Sequence, residues 1–209
     1  MNNRNSIEGK ERVKGTRRLV REKAMQILAA MHVSGVDWVE NFDRIFPFEF
    51  RDEEIEQSSE RLLTRDEIAM LEADCNIDWD DELVQFGHEL IRATLEHKDF
   101  SEEMIRRFSQ NWELDRIAHI DRIVMQIAIA EMLSFQDIPP KVTINEAIEI
   151  VKRYSTDKSG VFVNGILDSI LDSLKSEGRL KKSGRGLLDE SLNARRVDAD
   201  GSSAFAAPD

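Results

Sequence analysis

The chain has 209 residues, enough for one domain with extensions that buries a sizeable core without disulfides or metals. Its single cysteine, Cys75, cannot form an intramolecular disulfide framework or a cysteine zinc site. The sequence contains no run of about 18 to 20 apolar residues, and residues 1–10 are polar. We therefore expect neither a membrane span nor a secretory signal, and a cytoplasmic location.

The charge is distributed unevenly along the chain. The formal net charge of -12 argues against binding nucleic acid, because phosphate binding depends largely on Lys and Arg. Residues 1–23, however, hold eight basic and three acidic residues, net +5, so the other 186 residues carry -17. This predicts a basic arm beside an acidic body, able to hold an RNA and a basic protein together. A solubilising tail before an ordinary acidic domain explains the charge alone equally well.

Apolar residues recur at helical spacing in five segments, which predicts an all-α fold. In chain order these segments are residues 20–31, 83–95, 117–132, 144–151 and 162–174. Thr143 and Glu146 have the spacing of a capping box, in which two side chains satisfy free amide groups at a helix start. Residues 137–140 and 155–160 are rich in turn formers. We find no alternating strand pattern of useful length.

Composition also divides the chain into four parts. Residues 1–15 are predicted to be a flexible basic arm and residues 16–174 the folded domain. Within that domain residues 37–74 are an acidic, aromatic insertion. Its first part, residues 37–60, is predicted to form a loop with short helices whose aromatic side chains pack on the helices. From Lys175 to the end, Gly, Ser, Ala and mixed charge replace the apolar period, which predicts a disordered tail.

Two patterns that resemble enzyme motifs fail on inspection. His88 and Glu89 begin like a zinc-protease motif, but Arg92 stands where the second histidine ligand is required. Residues 160–165 have the glycine spacing of a phosphate loop, yet Ile166 stands where lysine would reach the phosphates. We therefore predict no catalytic residues, no metal and no cofactor.

The first candidate binding feature is a group of arginines. Arg17, Arg18 and Arg21 fall on the first turns of the first predicted helix and flank its apolar stripe, with Arg18 and Arg21 at the spacing of helical neighbours. Arginine presents planar, bidentate donors that suit phosphates and base edges. A solvated basic helix end is the alternative interpretation.

The second candidate feature surrounds the predicted turn at residues 155–160. Lys152 precedes this turn and Phe162 follows it. An aromatic ring at the rim of a helical bundle can stack on an unpaired base, a contact of roughly 1 to 3 kcal/mol. Periodicity alone favours a core position for Phe162.

Three segments of the chain resemble the NusB family of transcription antitermination factors. They read TRRLVREKAMQIL at residues 16–28, IPPKVTINEAIE at residues 138–149 and FVNGILD at residues 162–168. The resemblance extends over residues 16–174. It implies an all-helical fold of two packed three-helix subdomains.

The resemblance also implies a function and the residues that serve it. The family binds the single-stranded box A element of nascent RNA jointly with NusE, a small-subunit ribosomal protein. The pair joins other Nus factors on RNA polymerase and suppresses termination, notably in ribosomal RNA operons. Asp115 and Asp121 correspond to family positions that contact NusE. The expected RNA-binding residues, with the two lysines near the turn included, are Arg17, Arg18, Arg21, Gln126, Lys152, Lys158 and Phe162.

This chain departs from the family pattern at several positions. Ala29 replaces a tyrosine common at the partner surface of the first helix. In the turn before Phe162, Lys158 replaces a usual acidic residue and Val161 a usual lysine. We hypothesise that the basic charge has moved by three positions. The acidic stretch is about 30 residues longer than in typical relatives.

Two other functions fit the same residues. The chain could be a protein-binding module, such as a homodimer that covers its own arginines, without specific RNA binding. It could also be the NusB-like domain of an RNA-modifying methyltransferase, although 209 residues leave no room for the catalytic domain.

Overall fold

The computed structural model describes residues 13–46, 77–109 and 117–183. Within them are two short strands, β1 (Val13–Lys14) and β2 (Ile77–Asp78), that pair in parallel. The helices in the same residues are α1 (Arg17–Ser34), α2 (Trp38–Ile45), α3 (Asp81–Glu96), α4 (Lys98–Phe108), α5 (His119–Ser134), α6 (Pro140–Tyr154) and α7 (Ser159–Ser176). The all-helical prediction is confirmed, and the strand pair is an unpredicted addition.

The chain divides into two compact units, residues 1–89 and 90–209. The first unit contains α1, α2 and the beginning of α3, and the second contains the rest of α3 and α4 to α7. The second unit therefore has four whole helices among its described residues. No helix among the described residues is long and apolar enough to cross a membrane.

Local capping explains where α1 begins and ends. The Thr16 hydroxyl accepts a hydrogen bond from the Leu19 amide at 3.3 Å, which satisfies a free donor of the first turn. Gly35 has φ 69° and donates its amide to the Met31 carbonyl, a left-handed helix end that favours glycine. Between these caps Val20 and Ile27 are fully buried, as the helical stripe predicted.

Aromatic packing joins α2 to its neighbours within the first unit. The rings of Phe42 and Phe46 are stacked with centroids 4.4 Å apart, and both residues are buried. The Trp79 indole donates a hydrogen bond to the Phe46 carbonyl at 2.9 Å. A Cβ at Gly87 would lie 2.8 Å from the Phe46 ring, so glycine permits this close approach. The short helix and packed aromatics agree with the prediction for residues 37–46, while residues 47–74 of the insertion lie outside the described residues.

In the second unit α5 is buried along most of its length and contacts α4, α6 and α7. The predicted capping box before α6 is wrong, because the helix begins at Pro140 and Thr143 lies inside it. Proline suits the first helical turn, where its missing amide donor has no helical partner to lose. The Thr143 hydroxyl instead donates a hydrogen bond to Oε1 of the fully buried Glu131 at 2.5 Å. This gives a buried polar group a hydrogen-bond partner.

The described helices and strands extend past both predicted boundaries of the folded domain. The predicted tail boundary at Lys175 falls inside α7, and residues that follow α7 contact other parts of the second unit. The Lys182 ammonium donates to the Phe135 carbonyl at 2.7 Å, and the Arg179 guanidinium lies 4.8 Å from the centre of the Phe100 ring. Burial lowers the pKa of Lys182, against the opposing effect of Glu131 and Asp137. At the other end, Val13 and Lys14 of the predicted arm form β1, and the Gly15 amide donates a hydrogen bond to the Asp78 carbonyl at 2.9 Å.

Candidate nucleic-acid interface

The first turns of α1 carry the three predicted arginines in two different environments. Arg17 and Arg18 are exposed, whereas Arg21 is only 5% exposed. Nη1 of Arg21 donates a hydrogen bond to the Arg17 carbonyl at 3.0 Å. Arg17 and Arg18 therefore present their side chains outward, and Arg21 is packed beneath the helix start.

A single phenylalanine ring lies against two of these arginines. The guanidinium carbons of Arg17 and Arg21 lie 5.1 and 5.4 Å from the centroid of Phe86, within the range of cation–π attraction. Phe86 belongs to α3 and is buried. The sequence predicted Phe86 as a core residue and paired Arg18 with Arg21. It carried no signal for this contact, which depends on tertiary packing.

The turn between α6 and α7, residues 155–158 and called here the α6–α7 turn, carries the second group. Lys158 is exposed at the end of this turn, and the Phe162 amide donates to its carbonyl at 3.2 Å one helical turn later. Phe162 is half-buried, so it is neither a fully buried core residue nor a fully exposed one. The neighbouring Val161 is 82% exposed. Part of Phe162 is therefore accessible, one helical turn from an exposed lysine.

Lys152 reaches the same turn from α6. A Cβ added at Gly160 would lie 3.3 Å from Cγ of Lys152, so the lysine stem packs against the start of α7. The Lys152 ammonium also forms an exposed ion pair with Glu149 at 2.9 Å. Two lysines and the amino terminus of a helix together attract anions. Lys152, Lys158 and Phe162 therefore all lie at or next to the α6–α7 turn and the start of α7.

The predicted partner-binding acids are placed less simply. Asp121, in the first turn of α5, is 4% exposed and accepts a hydrogen bond from the Ser159 hydroxyl at 2.7 Å. Its carboxylate is engaged inside the second unit, so direct contact with a protein partner stays a prediction. Asp115 lies outside the described residues.

Gln126 is also engaged internally. It is 9% exposed on α5, and its amide donates to the Glu102 carboxylate of α4 at 3.2 Å. A carboxylate beside this amide disfavours an approaching phosphate. Contact of Gln126 with RNA stays a prediction, and no sequence pattern indicated Glu102 as its neighbour.

The helical architecture and the two basic patches define an all-helical protein with cationic groups at the start of α1 and around the α6–α7 turn. Its sequence matches the NusB family over residues 18–172. This match covers most of the chain, so the protein belongs to the NusB family.

Individual relatives agree with this assignment. The chain is 41% identical over 182 residues to the transcription antitermination protein NusB of Chloroherpeton thalassium, covering 87% of this chain and 74% of the relative. It is 48% identical over 112 residues to the protein of the same name from Salinibacter ruber, covering 54% of this chain and 70% of the relative. Both similarities extend over more than two thirds of the relative.

Solved structures share the fold. T. maritima NusB is 31% identical, with a TM-score of 0.55 and coverage of 77% of this chain and 93% of that one. A structure of antitermination factors NusB and NusE in complex with dsRNA gives a TM-score of 0.54, with coverage of 75% and 96%. At 18% identity, the second likeness shows the fold alone.

Proposed function

We propose that this protein is a transcription antitermination factor that binds single-stranded box A RNA together with NusE and suppresses termination, notably in ribosomal RNA operons. The observation that carries the proposal is that the half-buried Phe162 lies one helical turn from the exposed Lys158, while Lys152 packs against the same helix start. Membership of the NusB family supports the same conclusion.

The chemistry of this group favours single-stranded RNA over a duplex. A ring can stack only on a base that is not already paired and stacked, and such contacts contribute roughly 1 to 3 kcal/mol each. Lys158 lies one helical turn from Phe162, so it can contact the phosphate backbone of the same strand. Binding of a single strand at this turn would therefore use an aromatic ring for stacking and a lysine for the phosphate.

The arginines at the start of α1 supply a second set of contacts. Arg17 and Arg18 are exposed and suit phosphates, whereas the buried Arg21 supports Arg17 through its carbonyl and the shared Phe86 ring. If all three arginines bound phosphates, the log affinity would fall against log salt with a slope of about -2, using about -0.7 for each contact on a single strand.

The acidic remainder of the chain suits a basic protein partner. Residues 24–209 carry a net charge of -17, and the proposed partner NusE is a ribosomal protein, a class that is generally basic. Charge complementarity would favour rapid encounter and correct register more than affinity. Asp115 and Asp121 are the proposed contacts. We place the complex in the cytoplasm, where it would join other Nus factors and RNA polymerase.

Fluorescence anisotropy of a labelled box A RNA tests the proposal. The RNA is titrated with wild-type protein and with Phe162→Ala, each alone and with NusE, and a scrambled RNA of equal length is the control. We expect tighter binding to box A than to the scrambled RNA, strengthening by NusE, and a loss of about 5- to 150-fold in the variant, corresponding to 1 to 3 kcal/mol.

Binding to box A that is no tighter than to the scrambled RNA, with NusE present, would contradict the proposal. The function would then be protein–protein scaffolding. Sedimentation measures the oligomeric state with and without RNA. A homodimer that covers its arginines should dissociate when a specific RNA binds.

A further inference from the structure

A cluster of hydroxyl groups fixes the α6–α7 turn to α5. The Ser159 hydroxyl lies 2.7 Å from the Asp121 carboxylate, 2.9 Å from the Thr156 hydroxyl and 3.0 Å from the Ser155 hydroxyl. The Thr156 amide also donates to Ser159 Oγ at 3.3 Å. Ser159 and Asp121 are both at least nine-tenths buried. The turn is therefore attached to α5 through one serine side chain.

The direction of these hydrogen bonds makes Asp121 the anchor. The Ser159 hydroxyl has one proton, which it donates to Oδ2 of Asp121. The serine lone pairs then accept from groups of the turn, including the Thr156 amide. Asp121 is thus linked to the turn through Ser159.

Two further observations make this link important for the start of α7. The Lys158 side chain forms no capping hydrogen bond, so it does not itself fix the helix start. Among the described residues, Oδ1 of Asp121 has no hydrogen-bond partner. The hydrogen bond from Ser159 to Oδ2 therefore stabilises this buried carboxylate. A buried carboxylate is costly without hydrogen bonds, so Asp121 and Ser159 stabilise each other's positions.

From this geometry we infer that Asp121 is a positioning residue for RNA binding, acting through Ser159 to fix the turn that presents Lys158 and Phe162. The RNA part of the inference rests on the proposed function. Ser159 directly follows Lys158, and the next residue, Gly160, packs against the Lys152 stem. Displacing Ser159 would therefore shift the backbone that carries Lys158 and the helix start against which Lys152 packs.

The first test is Ser159→Ala, which removes the link but keeps the Asp121 carboxylate available to a protein partner. We expect binding of box A RNA to weaken about tenfold, less than or equal to the loss in Phe162→Ala. Ser169→Ala is the matched control. Ser169 is an exposed serine on the same helix, and its hydroxyl donates a hydrogen bond to the Gly165 carbonyl of that helix. Wild-type affinity in Ser159→Ala would overturn the inference.

A double-mutant cycle separates positioning from direct partner contact. Asp121→Asn and Ser159→Ala are measured alone and together, for RNA binding and for NusE binding. Positioning through one link predicts that the double variant binds RNA no more weakly than the weaker single variant. Additive losses in RNA affinity, or a loss in Asp121→Asn confined to NusE binding, would overturn the inference.

Amide hydrogen exchange tests the link without any RNA. In folded Ser159→Ala and Asp121→Asn, the backbone amides at positions 159 and 162 should exchange at least severalfold faster than in wild type, whereas those of α4 should not change. Unchanged exchange in both variants would overturn the inference even if RNA binds. Failure of wild-type protein to bind box A would instead overturn the proposed function, and faster exchange would then still show that Asp121 fixes the turn.

Discussion

Arg17 at the start of α1 and Lys158 at the α6–α7 turn are both exposed cations next to a buried group, but the buried groups differ. Arg17 lies on the Phe86 ring, whereas Lys158 directly precedes Ser159, which is hydrogen-bonded to Asp121. Ring packing depends mainly on volume and tolerates small displacements, while a hydrogen bond depends on direction and on single atoms. The arginine patch should therefore be sensitive to lost volume, and the turn to the loss of one oxygen.

The largest effect is expected for Phe86→Ala. Removing a buried phenylalanine costs about 3 to 5 kcal/mol of the free energy of unfolding, measured by urea denaturation. Phe86→Leu keeps most of the volume and should cost less than about 1.5 kcal/mol. Because packing under Arg17 depends mainly on volume, RNA binding measured well below the unfolding transition should weaken clearly in Phe86→Ala and only slightly in Phe86→Leu. A loss of RNA affinity in Phe86→Leu as large as that in Phe86→Ala would show that the aromatic ring itself, and not its volume, supports the arginines.

A smaller effect is expected for Lys158→Glu. The exposed side chain makes no capping hydrogen bond, so stability should change by less than about 0.5 kcal/mol. The affinity for box A should fall about tenfold, or about 1.4 kcal/mol, because a cation near the phosphates becomes an anion. Unchanged affinity would count against the hypothesis that the basic charge of this turn has moved to Lys158.

The arginines can be separated by their effect on the salt dependence of RNA binding. Arg18→Ala removes an exposed cation and should make the slope of log affinity against log salt shallower by about 0.7. Arg21→Ala removes a buried guanidinium, so it should reduce stability and leave the slope unchanged. Equal changes of slope in the two variants would mean that Arg21 reaches phosphate despite its burial.

The helical stripes could be predicted from the sequence because the period of apolar residues directly reports burial. Val20 and Ile27 of α1 and Val163 and Ile170 of α7 are all fully buried, as expected. Local signals were less decisive. Thr143 has the spacing of a cap but donates to Glu131 of another helix, because a hydroxyl can satisfy either a helix end or a buried charge.

The candidate site was predictable by residue type but not by environment. Four of the predicted RNA-binding residues are at least partly exposed: Arg17, Arg18, Lys158 and Phe162. They were predicted from the sequence pattern and from the resemblance to the family. The burial of Arg21, Gln126 and Asp121 depends on partners far away in the chain or on other helices. Spacing along one helix contains no information about such partners, which is why a direct contact was predicted for each of them.

The smallest effect is expected at Lys152, and it decides whether both lysines of the turn act alike. Its exposed ion pair with Glu149 contributes only about 0 to 1 kcal/mol to stability, and the paired carboxylate partly neutralises the cation. Lys152→Met keeps the stem that packs beside Gly160 and removes the charge, so RNA binding should weaken by no more than about threefold, or about 0.7 kcal/mol. Glu149→Gln should strengthen RNA binding slightly, because it leaves the lysine charge uncompensated. A loss in Lys152→Met as large as that in Lys158→Glu would mean that Lys152 exchanges Glu149 for a phosphate when RNA binds, and the turn would then present two equivalent cations.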